Sequence, residues 1–185
     1  MNRNKNILRL STAALLVAVG ILIPTFFPKI YIPPAGSATL ASHVAIFLAA
    51  FISPMAAAVV SLGTTLGFQL SGFPFPVVLR ALTHIVWAFL GALWLKKHPD
   101  LLYRPVHSAI FCAVIAIVHA LLETAIVSIL FTQGLVADQG GLWLTVLLPV
   151  GIVTLVHSTV DYILSLLVWR PLRKIKSVRD IAAAH

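Results

Sequence analysis

The chain has 185 residues, of which 60% are hydrophobic and only 10% are charged. Because a soluble domain carries about 25% charged residues, this composition excludes an ordinary soluble protein and predicts a single integral membrane domain covering residues 1–185. The net charge of +8 does not indicate a nucleic-acid partner, because all Lys and Arg except Lys29 and Arg80 lie in three patches beside apolar runs. This is the positive-inside pattern, and it predicts that the three patches face the cytoplasm.

Six apolar segments are candidate membrane helices, since a hydrocarbon core needs about 20 apolar residues per helix. We predict helices at residues 7–27, 39–52, 55–70, 77–95, 106–131 and 142–169, followed by a basic cytoplasmic tail at 170–185. The predicted fold class is an all-α integral membrane protein, a six-transmembrane-helix bundle with a structured external loop between helices 1 and 2. An even number of spans places both termini in the cytoplasm of a multi-pass cell-membrane protein.

The loop between helices 1 and 2, PKIYIPPAGSATL (Pro28 to Leu40), is too rigid and polar to span the bilayer. Non-helical backbone at membrane depth is stable only when it is buried in protein or lines a cavity. The loop therefore either folds back over the mouth of the bundle or forms a stiff external linker.

Three predicted helices each carry two polar residues four positions apart, which places both members on one helix face. The pairs are Arg80 and His84, His119 and Glu123, and His157 and Asp161. Ionisable side chains inside membrane spans usually face the bundle interior, a partner or a cavity. At 1.5 Å of rise per residue, the first pair and Glu123 lie in the outer half of the membrane, and the third pair lies toward the cytoplasm.

Two interpretations of the outer pairs stay open. In the first, Arg80 and Glu123 form an ion pair that fixes helix register, with His84 and His119 bonded to neighbours. In the second, these four residues line an outward-facing polar pocket that binds a solute.

Two further features of the spans involve histidine. His43, near the start of helix 2, is expected near the outer mouth as a candidate ligand contact, although a lone histidine is more often structural. His157 and Asp161 are expected to satisfy each other on one helix. We predict no metal ligands and no catalytic residues.

Helix 1 carries a stripe of small residues. Ala14 and Ala18 are four positions apart, and the stripe extends toward Leu10 and Leu22. Small-xxx-small faces let another membrane helix approach closely, so this face is a candidate partner interface.

Taken together, the short helices, the basic N-terminus, the alanine stripe and the long first loop resemble the substrate-binding S components of energy-coupling factor (ECF) vitamin transporters. The segment TLASHVAIFLAAFISPMAAAVVSLGTTLGF (Thr39 to Phe68) is the most similar part. The resemblance implies a protein that binds a vitamin from outside and topples in the bilayer to release it. It also implies that Ala14 and Ala18 contact a transmembrane scaffold subunit, which works with two cytosolic ATPases, and that residues 28–38 form a lid.

The resemblance implies a vitamin ligand and no cofactor, and the chain has no GxxxxGK[ST] motif for ATP. The sequence is most similar to cobalamin-type S components, with niacin-type S components as the alternative. A small acid such as niacin needs a cation, which Arg80 could provide. Cobalamin needs a wide, mostly apolar cavity. The expected substrate contacts are His43, Arg80, His84, His119 and Glu123.

Two other classes of function compete with this interpretation. An intramembrane hydrolase would activate water with His and carboxylate groups, and HSTVD (His157 to Asp161) has the His-xxx-Asp form of one such motif. The chain has no HExxH and no paired glutamates followed by arginine, and the predicted depths separate the polar pairs, so we expect no enzyme. A pure assembly scaffold is the second competitor.

Overall fold

The computed structural model describes residues 3–33 and 36–182. In chain order, its elements are helix α1 (Arg3–Phe26), strands β1 (Lys29–Ile32) and β2 (Gly36–Thr39), helices α2 (Val44–Ile52), α3 (Pro54–Leu70), α4 (Phe75–Leu82) and α5 (His84–Lys97), a 3-10 turn (Leu101–Tyr103), helix α6 (Pro105–Thr132), a π-helical segment (Trp143–Ile152), and helices α7 (Val153–Leu172) and α8 (Lys176–Ile181). The prediction of a helical membrane protein with a structured first loop is confirmed at this level.

Four helical segments of the described chain are long and apolar enough to cross a membrane. They are Asn4–Phe26, Phe75–Lys97, Pro105–Thr132 and Trp143–Leu172. Helix α3 is shorter, with 17 residues, and α2 has nine. Nine residues extend about 14 Å, less than half of the roughly 30 Å hydrocarbon thickness, so the structure does not confirm the predicted count of six spans.

The predicted helix at 39–52 begins later than expected. Thr39 still belongs to β2, and a turn containing Ala41, whose φ is 66°, precedes the helix start at Val44. The next helix begins where expected, because the Ser53 side chain accepts a hydrogen bond from the amide of Ala56 and Pro54 occupies the first turn.

The predicted helix at 77–95 consists of two helices, α4 and α5, separated at Thr83. The hydroxyl of Thr83 donates a 2.7 Å hydrogen bond to the carbonyl of Arg80. Such side-chain bonds compete with the regular helical ladder. The regular helical hydrogen-bond ladder is therefore interrupted between Arg80 and His84, the two polar residues of this span.

The first loop forms an antiparallel hairpin of β1 and β2, with Lys29 opposite Thr39 and Ile32 opposite Gly36. Its base is closed by a 3.0 Å hydrogen bond from the amide of Leu40 to the carbonyl of Pro28. Of the two conformations considered for this loop, the structure supports a folded element rather than an extended linker.

Part of the predicted tail at 170–185 is folded. Helix α7 continues to Leu172, and α8 packs against α1 with Ile181 buried. The Nε of Arg9 donates a 3.1 Å hydrogen bond to the carbonyl of Ile181.

Helix α2 lies at the centre of the bundle. Every residue from Ala45 to Ile52 is buried, which explains why this helix is apolar on all sides. Its Phe47 and Phe51 pack against Trp87, Tyr162 and Trp169, with ring centroids 4.9–6.4 Å apart. Because α2 is both short and buried, its N-terminal residue His43 lies inside the bundle.

Candidate functional site

Glu123 of α6 is the centre of a buried polar network. Its Oε2 accepts hydrogen bonds from Nη2 and Nε of Arg80 at 2.7 and 3.0 Å and from the hydroxyl of Thr154 at 2.6 Å. Its Oε1 lies 3.2 Å from Nε2 of both His84 and His119. Three other helices thus provide hydrogen-bond partners for one carboxylate. Such partners replace water and stabilise the buried charge.

A second buried carboxylate, Asp161 of α7, holds the turn that precedes α2. Its Oδ1 accepts from the amide of Ala41 at 2.9 Å, and its Oδ2 accepts from the amide of His43 at 3.0 Å. The Nδ1 of His43 is also 3.0 Å from Oδ2, and Nε2 of His157 is 3.5 Å from it. These bonds support the left-handed backbone of Ala41, which would otherwise be disfavoured.

Imidazole rings connect the two carboxylates. The ring centroids of His43, His84 and His119 are 4.7–4.8 Å apart in every pairing, and the ring planes meet at 76–89°. The centroid of His157 is 4.7 Å from that of His43. His43, His84 and His119 are each no more than 3% exposed, so the four helices α2, α5, α6 and α7 meet at a histidine cluster closed off from the surroundings.

The hairpin covers this cluster. Nη2 of Arg80 donates to the carbonyl of Ser37 at 3.3 Å, and Nη1 donates to its hydroxyl at 3.4 Å. A cavity of about 20 Å³ lies beneath the hairpin, and its lining combines the apolar residues Phe68, Val77 and Ala81 with histidine, serine, threonine and charged side chains. A cavity of this size has room for about one water molecule, so a larger ligand requires the hairpin to move.

All five predicted substrate contacts belong to the same network. They are His43, Arg80, His84, His119 and Glu123. The structure brings them together, while their contact with a ligand stays a prediction. The predicted layer shared by Arg80 and Glu123 is confirmed by their 2.7 Å ion pair.

One expectation about depth was wrong. His157 and Asp161 are not in a separate cytoplasmic layer, because they contact His43 directly. His43, which was expected near the outer mouth, is 3% exposed and lines the cavity beneath the hairpin. The error arises from treating helix 2 as a span that starts at the membrane surface, whereas Ser42 and His43, just before α2, are buried.

Two further members of the network, Ser37 and Thr154, were not predicted from the sequence. Thr154 precedes His157 by three residues and therefore lies on the same helix face, a signal that was present in the sequence. Ser37 has no such signal, because its position depends on how the hairpin folds over Arg80.

The small-residue stripe of α1 lies on the surface of the bundle. Ala14 and Ala18 are exposed, as are Leu10 and Leu22. Gly20, in contrast, packs on α3, where a Cβ atom would clash with the Thr64 hydroxyl. The stripe is therefore available to another membrane helix.

Comparison with known proteins shows close relatives of this chain. It is 44% identical over 156 residues to the niacin transporter NiaX of Lactococcus lactis subsp. cremoris (strain MG1363), covering 83% of this chain and 69% of that protein. Its structure is similar to the crystal structure of the S component for biotin from an ECF-type ABC transporter, with a TM-score of 0.70, 18% identity, and 98% and 99% of the two chains covered. No family model matches the sequence.

These relatives decide between the classes of function considered from the sequence. Both are components of transporters, so the expectation of a transport protein that is not an enzyme is confirmed. The preference for a cobalamin-type protein has no support among them, and the niacin alternative fits better.

Proposed function

This chain belongs to the family of the niacin transporter NiaX and has the fold of an ECF-type S component, and we propose that it is the substrate-binding S component of an ECF-type niacin transporter. The 44% identity to NiaX over most of the chain supports niacin as the vitamin. The site supports a small acid as the ligand, because one arginine and several imidazoles line a narrow cavity together with apolar residues.

The proposed ligand contacts are His43, Arg80, His84, His119 and Glu123. The bonds from Arg80 to Ser37 are 3.3 and 3.4 Å long, against 2.7 and 3.0 Å to Glu123. When the hairpin lifts, the guanidinium loses its weaker partner and keeps its stronger one. A vitamin carboxylate then takes the place of Ser37 in a charge-assisted hydrogen bond.

Phe68, Val77 and Ala81, which pack in one cluster, form the apolar part of the cavity lining beside this polar group. Niacin likewise combines a flat aromatic ring with a carboxylate. Cobalamin would need a wide cavity lined mainly by apolar and aromatic side chains, and the compact, charged cavity under the hairpin favours the small acid.

The proposed assembly contains a transmembrane scaffold subunit and two cytosolic ATPases. Ala14 and Ala18 would form the scaffold contact, since both lie on the exposed face of α1. The distribution of Lys and Arg supports a multi-pass protein of the cell membrane with both termini in the cytoplasm.

The test is calorimetric titration of the purified protein with nicotinic acid, nicotinamide and cobalamin. We expect saturable one-to-one binding of nicotinic acid, and binding of nicotinamide weaker by at least about tenfold, because the amide lacks the charge that Arg80 pairs with. Cobalamin should not bind. Tight binding of cobalamin would contradict the niacin assignment, and so would the absence of binding by both nicotinic acid and nicotinamide. The molecule that co-purifies with the protein would then identify the substrate.

A further inference from the structure

The arrangement of the three central histidines is that of a metal site. One imidazole nitrogen from each of His43, His84 and His119 lies within 4.8 Å of one nitrogen of each of the others. Their rings are nearly perpendicular in every pairing. Three imidazoles that converge from different helices can form one face of a coordination sphere, as in tri-histidine zinc sites.

Carboxylates lie beside one nitrogen of each of these rings. Glu123 Oε1 is 3.2 Å from Nε2 of both His84 and His119, and Asp161 Oδ2 is 3.0 Å from Nδ1 of His43. Metal-bound histidines usually donate their second ring N–H to a carboxylate, which fixes the tautomer and orients the other nitrogen. In this chain, His84 and His119 have such a hydrogen-bonded partner in Glu123, whereas Nδ1 of His43 lies close to Asp161 without a well-aligned hydrogen bond.

Two of the remaining ring nitrogens have no hydrogen-bond partner. Nδ1 of His84 and Nδ1 of His119 are buried and unbonded within the part of the chain that the structure describes. An unsatisfied polar atom in an apolar interior costs about 1–3 kcal/mol, so most buried groups have partners. A metal ion between the rings would satisfy both nitrogens.

The charges of the cluster also favour a cation. Among the described residues, the side chains in the cluster with a formal charge at neutral pH are Arg80, Glu123 and Asp161. With neutral imidazoles, the cluster has one negative charge in excess inside a membrane protein, where uncompensated charge is costly. A cation is attracted to this excess negative charge.

From these observations, we propose that His43, His84 and His119 bind a divalent transition metal ion of the zinc class. His43 and His84 also line the cavity beneath the hairpin, so the ion would lie beside the site proposed for the vitamin. It would add to Arg80 a second positive charge for a ligand carboxylate, a role that rests on the proposed function. Metal binding itself does not depend on the identity of the vitamin.

The experiment uses the full chain, purified without a histidine tag and stripped with EDTA, and Co²⁺ as a spectroscopic probe that Zn²⁺ can displace. We expect one Co²⁺ per chain, with the absorption bands of a nitrogen-rich site. His84→Gln and His119→Gln should each weaken Co²⁺ binding at least about tenfold, and Glu123→Gln should weaken it about 10- to 100-fold. His107→Gln is the matched control, because His107 is exposed on the same helix α6, and it should bind like the unaltered protein.

The unaltered protein alone can overturn the proposal, whether or not the variants fold. Failure to bind Co²⁺ or Zn²⁺, or an X-ray absorption spectrum of the Zn²⁺-loaded protein without imidazole scattering, would refute the site. The site would also be refuted if the His84 and His119 variants bound Co²⁺ as tightly as the unaltered protein.

Titration of the EDTA-stripped protein with nicotinic acid separates the metal proposal from the niacin proposal. Binding of the acid without any metal affinity would leave the transport function standing, and metal binding without affinity for the acid would leave only the metal site.

Discussion

Arg80 of α4 and Glu123 of α6 form an ion pair inside the bundle, with Nη2 and Nε of the arginine 2.7 and 3.0 Å from the same carboxylate oxygen. Both side chains are no more than 5% exposed. The pair links two helices that cross the membrane, and it also links the hairpin to α6 through Ser37. Its position explains how an apolar span can contain an arginine. The pair could serve to stabilise the fold or to bind the ligand, and these two roles can be separated by experiment.

Removal of one partner should distinguish a structural role from ligand binding. We expect Arg80→Met or Glu123→Leu alone to lower the free energy of unfolding by about 3–5 kcal/mol, because a buried charge is left unpaired. The double variant should recover much of this loss, since an apolar pair avoids the desolvation cost. Thermal unfolding in detergent measures the stability, and titration with nicotinic acid measures the binding.

If the double variant folds and still binds nicotinic acid as tightly as the unaltered protein, Arg80 is purely structural. If it folds and does not bind, the pair of Arg80 and Glu123 belongs to the ligand site. Single variants that are silent in both measurements would contradict both roles.

The exposed stripe of α1 is predicted to contact the scaffold subunit. We expect Ala14→Trp and Ala18→Trp to abolish vitamin uptake in cells, because an indole prevents close approach of another helix, while ligand binding by the purified protein is unchanged. Ala113→Trp is the matched control, since Ala113 is an exposed alanine on α6. Normal uptake with a tryptophan at either stripe position would refute the interface.

The contact of α1 with α3 requires a glycine at position 67. A Cβ atom there would lie 2.6 Å from the Cα of Ile21 and 2.9 Å from its carbonyl oxygen. Because both atoms are backbone, Gly67→Ala should push the helices apart and destabilise the protein by about 1–3 kcal/mol. Thermal unfolding should detect this loss. Leu66→Ala, a change at an exposed neighbour on α3, should have little effect, and equal stability of the two variants would contradict the close packing.

The loop before the π-helical segment depends on Asp138. Its Oδ1 accepts hydrogen bonds from the amides of Gly140 and Gly141 at 2.9 and 2.6 Å and from the Thr145 hydroxyl at 3.1 Å. The two amide bonds favour the carboxylate and hold the pKa of Asp138 below its ordinary value of 3.8. Because the folded pKa is depressed, the contribution of Asp138 to stability is complete above pH 3.8 and is lost as the pH falls through the folded pKa.

At neutral pH, we expect Asp138→Ala to speed hydrogen exchange at the amides of Gly140 and Gly141 by about tenfold, since each loses its acceptor. In the unaltered protein, the same increase should appear only in strong acid. Asp100→Ala is the control, because the ion pair of the Asp100 carboxylate with Arg104 is exposed and 3.8 Å long. Unchanged exchange in the Asp138 variant would show that the glycine amides have other protection.

Much of this architecture follows from the sequence alone. Long apolar runs dictate membrane helices, because the hydrocarbon core leaves no other way to satisfy the backbone. The spacing of Arg80 and His84, and of His119 and Glu123, dictates that each pair faces one direction, since four residues nearly complete a helical turn. The two members of each pair contact the same network for that reason.

Only the tertiary structure decided where the remaining parts lie. The sequence did not reveal that α2 is too short to span, so the separate layer assigned to His157 and Asp161 was wrong. Helical periodicity determines which side chains share a face, but it does not determine the level at which two helices meet. That level depends on how the hairpin, the turn at Ala41 and the break at Thr83 pack, and these are contacts between segments distant in sequence. Local spacing therefore identified the pairs, and long-range packing joined them into one histidine and carboxylate network.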